Sequence, residues 1–496
     1  MAQASRAHGG VGAWERESVE RGAWNYAPTL PRSHAPSRTA LALSLALLLA
    51  GCKGTQTSDE RHARAQAQAL ASSYRPRGQK PALPLLTTNS NLRDFLTYAM
   101  LNQPRVEAAY YDWLASVERI TTARSLPDPQ LTFQMDIQNI VTSVMPGLMM
   151  NFPGAGKLRA GAKVASAESE VKYYAFESSV IESAFELKRA YYQLYFLEEK
   201  IRVNRDTLAL LADLEILARA QNEVGKVTLQ DVLRAQIEQD RLRTDLANVQ
   251  DSRSSLLAEF KAALGLSAEQ PAPPLPRAFE STPLDLSSGK LLETAFATNS
   301  RLKSMEAEVR VAEAAIELAA KSRRPDSSAG LMADVKTSPV LYRPTASISL
   351  PIWRDKIAAQ IAEAQANKKA AQARLSAEQI ALAVDFAQKS FLFRETSRNL
   401  VLLHEQLLPK ARQSLEVARI GYLSGRLDFF NLSDTERTLL GFQLDEVEAR
   451  TQREMLLAEI SLLIRGLPPG NAPMRSSGGG MKQGSPGAPM KTKGAM

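Results

Sequence analysis

The run from Gly154 to Gln270 contains no proline, and its helical pattern breaks only once, at Val224-Gly225-Lys226-Val227. Two long antiparallel helices joined by one tight turn satisfy that pattern. In the first arm Leu187, Leu194, Ile201 and Leu208 fall seven apart, with Tyr191 and Leu211 on adjoining rows, which is the spacing of a coiled-coil seam. A continuous helix from Gly154 to Asn222 would be roughly 100 Å long at ~1.5 Å per residue, several times the thickness of a bilayer's hydrocarbon core. No compact globule needs such a rod. Gly225 can take the left-handed conformation that closes a helix, and Thr228 with Asp231 three residues on reads as a capping box opening the next.

The same order of elements occurs twice. Asn299, Arg301 and Leu302 echo Asn102, Arg105 and Val106; Pro325-Asp326 echoes Pro127-Asp128; Leu350-Pro351 echoes Phe152-Pro153; and Gly425 lies 200 residues after Gly225. The seam repeats at Phe386, Phe393, Leu400 and Leu407, but only 199 residues after its first copy. One residue is therefore inserted between seam and turn, which predicts a bulge or kink beside Pro409. Before each long arm comes a shorter helix and then period-two alternation, as in Leu131, Phe133, Met135 and Ile137, which predicts a β-hairpin.

These boundaries give a first repeat over 91–270, with a β-hairpin at 130–153 and a helical hairpin at 154–266. A second repeat spans 289–467, with a β-hairpin at 328–352 and a helical hairpin at 354–466. Residues 53–90 read as a flexible linker with little fixed structure before Asn89, 271–288 as a Pro-rich linker, and 468–496 as a disordered tail free of acids.

Cys52 is the only cysteine. It follows Leu49-Ala50-Gly51 at the end of the apolar stretch from Ala40 to Ala50, which Arg32 and Arg38 precede. The stretch is too short to span a bilayer and has the length of a secretory signal's apolar region, so residues 1–52 read as leader and signal peptide ending in a lipobox. This resembles the start of bacterial lipoproteins, which implies that Cys52 is the lipidated first residue. Lys53 follows it, in place of the aspartate that commonly retains such proteins at the inner membrane.

The net charge of +8 gathers at the ends, and no basic helix with interleaved aromatics appears, which argues against nucleic acid as a partner. After Cys52 the histidines are His62 and His404, far apart, and no nucleophile motif or phosphate loop is present, so the chain does not read as an enzyme and needs no cofactor or metal. Met135, Met145, Met149, Met150 and Met332 gather in the strand regions; thioethers suit Cu(I), but these read as apolar barrel residues.

The lipobox, the duplicated helix, short hairpin and very long helical hairpin, and the lack of an apolar spanning helix together resemble the TolC family of outer-membrane efflux channels. Gly225, Asp231, Val232, Ala235 and Gln236 carry the likeness in the first copy, and Tyr422, Gly425, Leu432 and Asp434 in the second. Asp128-Pro129-Gln130-Leu131 and the run from Phe152 to Lys157 look most like the heavy-metal and cation efflux branch. The fold class this implies is mainly α with a small β part. The duplicated hairpins form a periplasmic tunnel, and two β-hairpins per chain join a trimeric twelve-stranded outer-membrane barrel, with each chain's seam buried against its neighbours.

The resemblance implies a passive exit duct for metal cations or small toxic compounds. Its partners would be a periplasmic adaptor (membrane fusion protein), an inner-membrane RND-type pump or ABC exporter, and outer-membrane lipid through the barrel and an acylated, palmitate-bearing Cys52. The turns at Val224, Gly225, Lys226 and at Ser424, Gly425, Arg426 would meet the adaptor. Asn431 and Asp434 occupy the aperture positions, where the family carries two acids. Asp231 and Tyr422 match the tip lock, whose arginine position holds Leu427, with Arg426 one residue earlier as the substitute. Two other readings stay open: a type I protein secretion duct, and a structural periplasmic coiled-coil lipoprotein without a pore.

Overall fold

In the computed structural model, residues 56–137, 141–274 and 290–465 are described. The leader with Cys52, the linker beyond residue 274 and the tail after residue 465 lie outside them.

The described chain opens with α1 (Ser58–Tyr74), a short 3-10 turn, α2 (Leu92–Asn102) and α3 (Pro104–Arg124). Strands β1 (Gln130–Ile137) and β2 (Val141–Phe152) lead into α4 (Lys157–Glu223) and α5 (Leu229–Ala263). The second half follows with α6 (Lys290–Thr298), α7 (Ser300–Lys321), β3 (Asp326–Asp334), β4 (Leu341–Ser349), α8 (Arg354–Leu402), a π turn (Leu403–Leu407), α9 (Leu408–Leu423) and α10 (Phe429–Arg465). With 67 residues, α4 is roughly 100 Å long. The π turn takes up the one-residue mismatch between the copies, and Pro409, which has no amide to donate, stands just after it at the start of α9.

The four strands form one antiparallel sheet in the order β1-β2-β3-β4, so β1 and β4 each keep an unpaired edge. Its register sorts the side chains. Leu131 lies opposite Leu148, Leu148 opposite Leu331 and Leu331 opposite Pro344; Phe133 faces Pro146, and Ala333 faces Tyr342. That face is apolar across all four strands and uncovered: Phe133 is 69% exposed, Tyr342 65% and Leu331 51%. The other face carries Thr132, Gln134, Asp136, Ser143, Asn151, Ser328, Arg343 and Ser347, knitted by Ser143 to Asp136 (3.1 Å) and Ser328 to Ser347 (2.7 Å). Met135 and Met150 stand on the apolar face, whereas Met145, Met149 and Met332 stand on the polar one, so the methionines do not share the single apolar role the sequence suggested.

Three further expectations need correction. The seam residues Leu187, Leu194 and Ile201 are already buried within the chain, against Phe95 of α2, Phe260 and Ala263 of α5, and Val447 and Leu462 of α10. They are a core, not a surface for neighbours. The stretch before Asn89 is also structured: α1 packs Ala63, Ala67 and Tyr74 onto Tyr110, Trp113 and Phe176. Its anchor is Glu60, which is fully buried and accepts hydrogen bonds from Arg64 (3.1 Å), Thr121 (3.1 Å) and Arg124 (2.6 Å). Burial alone would raise the Glu60 pKa, but these donors outweigh it and hold the carboxyl below its ordinary value. The expected capping box at Thr228 is absent as well, since only its backbone carbonyl meets the Asp231 amide.

Removing one partner of a buried ionic network leaves the others unpaired. Glu60→Gln should therefore cost about 3 kcal/mol of local stability and release α1 to limited proteolysis, whereas the exposed Leu85→Ala should leave the digestion pattern unchanged.

Candidate functional site

The two helical hairpins end side by side in nearly identical turns. In the first, the Gly225 amide donates to Asn222 O (2.9 Å) and the Lys226 amide to Gln221 O (2.9 Å); in the second, Gly425 donates to Tyr422 O (3.1 Å) and Arg426 to Gly421 O (2.9 Å). Gly225 and Gly425 take φ of +70° and +72°, the left-handed conformation at which a β-carbon would be strained. Val224, Lys226, Ser424 and Arg426 are all exposed, and Arg426 makes no ion pair among the described residues.

Behind the turns lies a small apolar core shared by both hairpins. Leu214 and Ala218 of α4, Val232 and Ala235 of α5, Ala418 and Tyr422 of α9, and Phe429 and Leu432 of α10 pack together. The rings of Tyr422 and Phe429 meet edge-on at 5.8 Å. Tyr422 is 2% exposed and its hydroxyl has no hydrogen-bond partner. Burial, and then the nearby Asp231 carboxylate, push its pKa up to about 12. The structure thus brings Asp231 and Tyr422 together, without a hydrogen bond between them.

Polar contacts fix the hairpins behind this core. In the first, Glu215 accepts from Gln236 (2.8 Å), Gln239 (2.8 Å) and Arg219 (2.8 Å), bonds that hold its pKa down. Between hairpins, Arg437 of α10 donates through Nε to Glu238 of α5 (3.1 Å) and through a second guanidinium nitrogen to the same carboxylate. Asn431 and Asp434 lie on the first turns of α10, both exposed. Asn431 is turned back on Asp428, donating its side-chain amide at 2.7 Å, whereas Asp434 makes no ion pair among the described residues.

Glu436 was not singled out from the sequence. It stands two residues after Asp434 on the opposite side of α10, is 2% exposed, and leaves Oε1 without a partner. Burial, reinforced by Glu238 and only partly opposed by Arg437, pushes its pKa up to about 7. The one available signal, a glutamate on the row of Leu432 and Leu439, is weak on an exposed-looking helix. Among the described residues no group of histidine, cysteine, aspartate and glutamate side chains could hold a metal, and no helix is long and apolar enough to cross a membrane.

The model of the family described as outer membrane efflux protein matches the chain over residues 99–266 and 291–464. A search of curated proteins finds no match. Among solved structures, the outer membrane protein VceC from Vibrio cholerae is similar with a TM-score of 0.63 at 15% identity, covering 76% of this chain and 96% of that one. CusC gives 0.64 at 14%, covering 78% and 95%. The open state of the Neisseria gonorrhoeae MtrE outer membrane channel gives 0.62 at 14%, covering 78% and 94%. The fold, long helical hairpins beneath a small sheet, is that of TolC-like channels.

The raised pKa of Glu436 makes the tip pH-dependent. A carboxyl that binds its proton more tightly in the folded state contributes stability that is complete below its ordinary value of 4.5 and is lost as pH rises through about 7. The free energy of opening the tip, taken from hydrogen exchange at Leu432 and Leu439 after correction for the intrinsic rise of exchange with pH, should fall between pH 5.5 and 8 by roughly 2 kcal/mol. Glu436→Gln should abolish that slope.

Proposed function

Because the chain belongs to the outer membrane efflux protein family, we propose that it is the outer-membrane duct of a tripartite exporter. It would be a passive channel through which an inner-membrane pump, coupled by a periplasmic adaptor, expels metal cations or small toxic compounds. One observation carries this reading: the four-stranded sheet presents a continuous apolar face, a polar opposite face and two open edges. In lipid every backbone group needs a partner, so such a sheet is a segment of a larger closed barrel. Three copies would supply twelve strands with the polar face turned to the lumen.

The helices support the same assembly. Exposed apolar stripes run along α5 (Leu229, Leu233, Ile237) and α8 (Ile380, Val384, Phe391), faces that packing against further copies would cover. Acylation of Cys52 would tie each copy to the membrane surface. The entrance loops at Asp128-Pro129-Gln130 and from Phe152 to Lys157 favour the heavy-metal branch.

At the tip, the turns Val224-Gly225-Lys226 and Ser424-Gly425-Arg426 are the docking points for the adaptor. Asp231, Tyr422 and Arg426 would hold the closed arrangement through polar bonds to neighbouring hairpins of the assembly, since within one chain Asp231 and Tyr422 are not hydrogen-bonded to each other. Asp434 from three copies forms the single carboxylate ring of the aperture, and Asn431 forms a neutral ring, already satisfied by Asp428. The chain has no catalytic role.

Purified protein in planar bilayers should give uniform conductance steps with a cation preference. Asp434→Ala should lower the cation-to-anion permeability ratio at least about twofold, because one ring supplies most of the local field. Uniform steps with unchanged selectivity would remove Asp434 from the aperture. A folded protein that never conducts, even in an Asp231→Ala, Tyr422→Phe variant with a loosened tip, would favour the structural lipoprotein instead.

A further inference from the structure

Past the last residue of β4, the apolar residues of the uncovered face are followed by Leu350 and, after a tight turn in which the Ile352 amide donates to Leu350 O, by Ile352. Ile348 is 65% exposed, Leu350 68% and Ile352 66%; Trp353, 72% exposed, then ends the apolar run. A tryptophan with its ring in the open at the end of an apolar face is suited to the boundary between hydrocarbon and headgroups. The charge changes at the same point. Arg354 and Lys356 open α8, Lys321 closes α7, and Arg323 and Arg324 follow it. The pairing of Asp326 with Ser349 sets these two helix ends beside each other.

The acids nearby do not neutralise this cluster. Asp326 is engaged by Lys157 at 2.7 Å and by the Gly154 amide at 2.6 Å. Arg324 donates to the carbonyl of Ala155 at 2.5 Å. That leaves Asp355 against Arg323, Arg354 and Lys356, all exposed, and these three cations make no ion pair among the described residues. Solvent alone explains three exposed cations; it does not explain why they stand at the foot of an uncovered apolar face, beneath an uncovered tryptophan.

We propose that Trp353 with Arg323, Arg354 and Lys356 forms a binding site for an anionic phospholipid of the periplasmic leaflet. The acyl chains lie on the Ile348, Leu350 and Ile352 side, the indole sits at the glycerol level, and the three cations hold the phosphate-bearing headgroup. The site rests on the reading that the apolar sheet face meets lipid. It adds a headgroup preference that an apolar face alone would not give, because juxtamembrane cations select negative over zwitterionic lipid.

The test uses the full-length protein reconstituted in vesicles of phosphatidylcholine doped with either brominated phosphatidylglycerol or brominated phosphatidylcholine. Bromines quench nearby indoles, and subtracting the signal of Trp353→Phe isolates Trp353 from the buried Trp113. Quenching should favour the anionic lipid by about threefold or more, and the preference should shrink at about 0.5 M salt. It should fall to parity in the Arg323→Gln, Arg354→Gln, Lys356→Gln variant, whose exposed side chains are not needed for folding. Equal quenching of the wild type by both lipids would overturn the headgroup site while leaving the lipid-facing sheet intact. No quenching by either would overturn both. A preference abolished by inorganic phosphate at constant ionic strength would reassign the cations to a soluble anion and end the lipid proposal.

Discussion

A strand edge cannot stay bare in hydrocarbon, and the rest of this molecule follows from that. Each unpaired amide or carbonyl in lipid costs several kcal/mol, of the order of 4 or more by transfer to a solvent that cannot hydrogen-bond. A chain that contributes only four strands, with Leu131 and Tyr342 on one face and Gln134 and Ser347 on the other, must find further strands for β1 and β4. The helices are shaped by the same demand. They carry a core of their own around Leu187, Leu194 and Phe260, and the apolar stripes on α5 and α8 lie outside that core, where the proposed assembly would cover them.

The tip is where this rigid scaffold becomes adjustable. Its core is small and unites both hairpins, and among the described residues two buried polar atoms in or beside it lack partners, the Tyr422 hydroxyl and Oε1 of Glu436. Buried polar atoms without partners weaken the closed packing. The Arg437 to Glu238 bridge and the Glu215 network oppose that weakening from the sides. On the proposed reading, docking at Gly225 and Gly425 would loosen this tip without unfolding the long helices behind it.

Much of this was legible in the residues. The absence of proline between Gly154 and Gln270 marked the long hairpin, the 200-residue offset of Gly225 and Gly425 marked the second one, and the 199-residue offset of the seam located the π turn to within a few residues. Period-two alternation found the strands because one face of each is apolar. What stayed hidden depended on partners distant in sequence. Helix α1 is poor in large apolar residues and looked like a linker; it is ordered by Glu60 meeting Arg124, 64 residues away. The burial of Glu436 depends on a neighbouring hairpin, and nothing at Thr228 distinguishes a cap that forms from one that does not. The seam was read as an interface because a heptad does not say whether its partner is the same chain or another.

The most direct test is the mass of the purified protein in detergent by native mass spectrometry. If the open-edged sheet is one third of a closed barrel, the particle should contain three copies and stay intact as protein is diluted, because dissociation would expose six strand edges. A monodisperse, folded monomer with the sheet intact would contradict it: the edges of β1 and β4 would then be tolerated bare, and the apolar face would need an explanation other than a shared barrel.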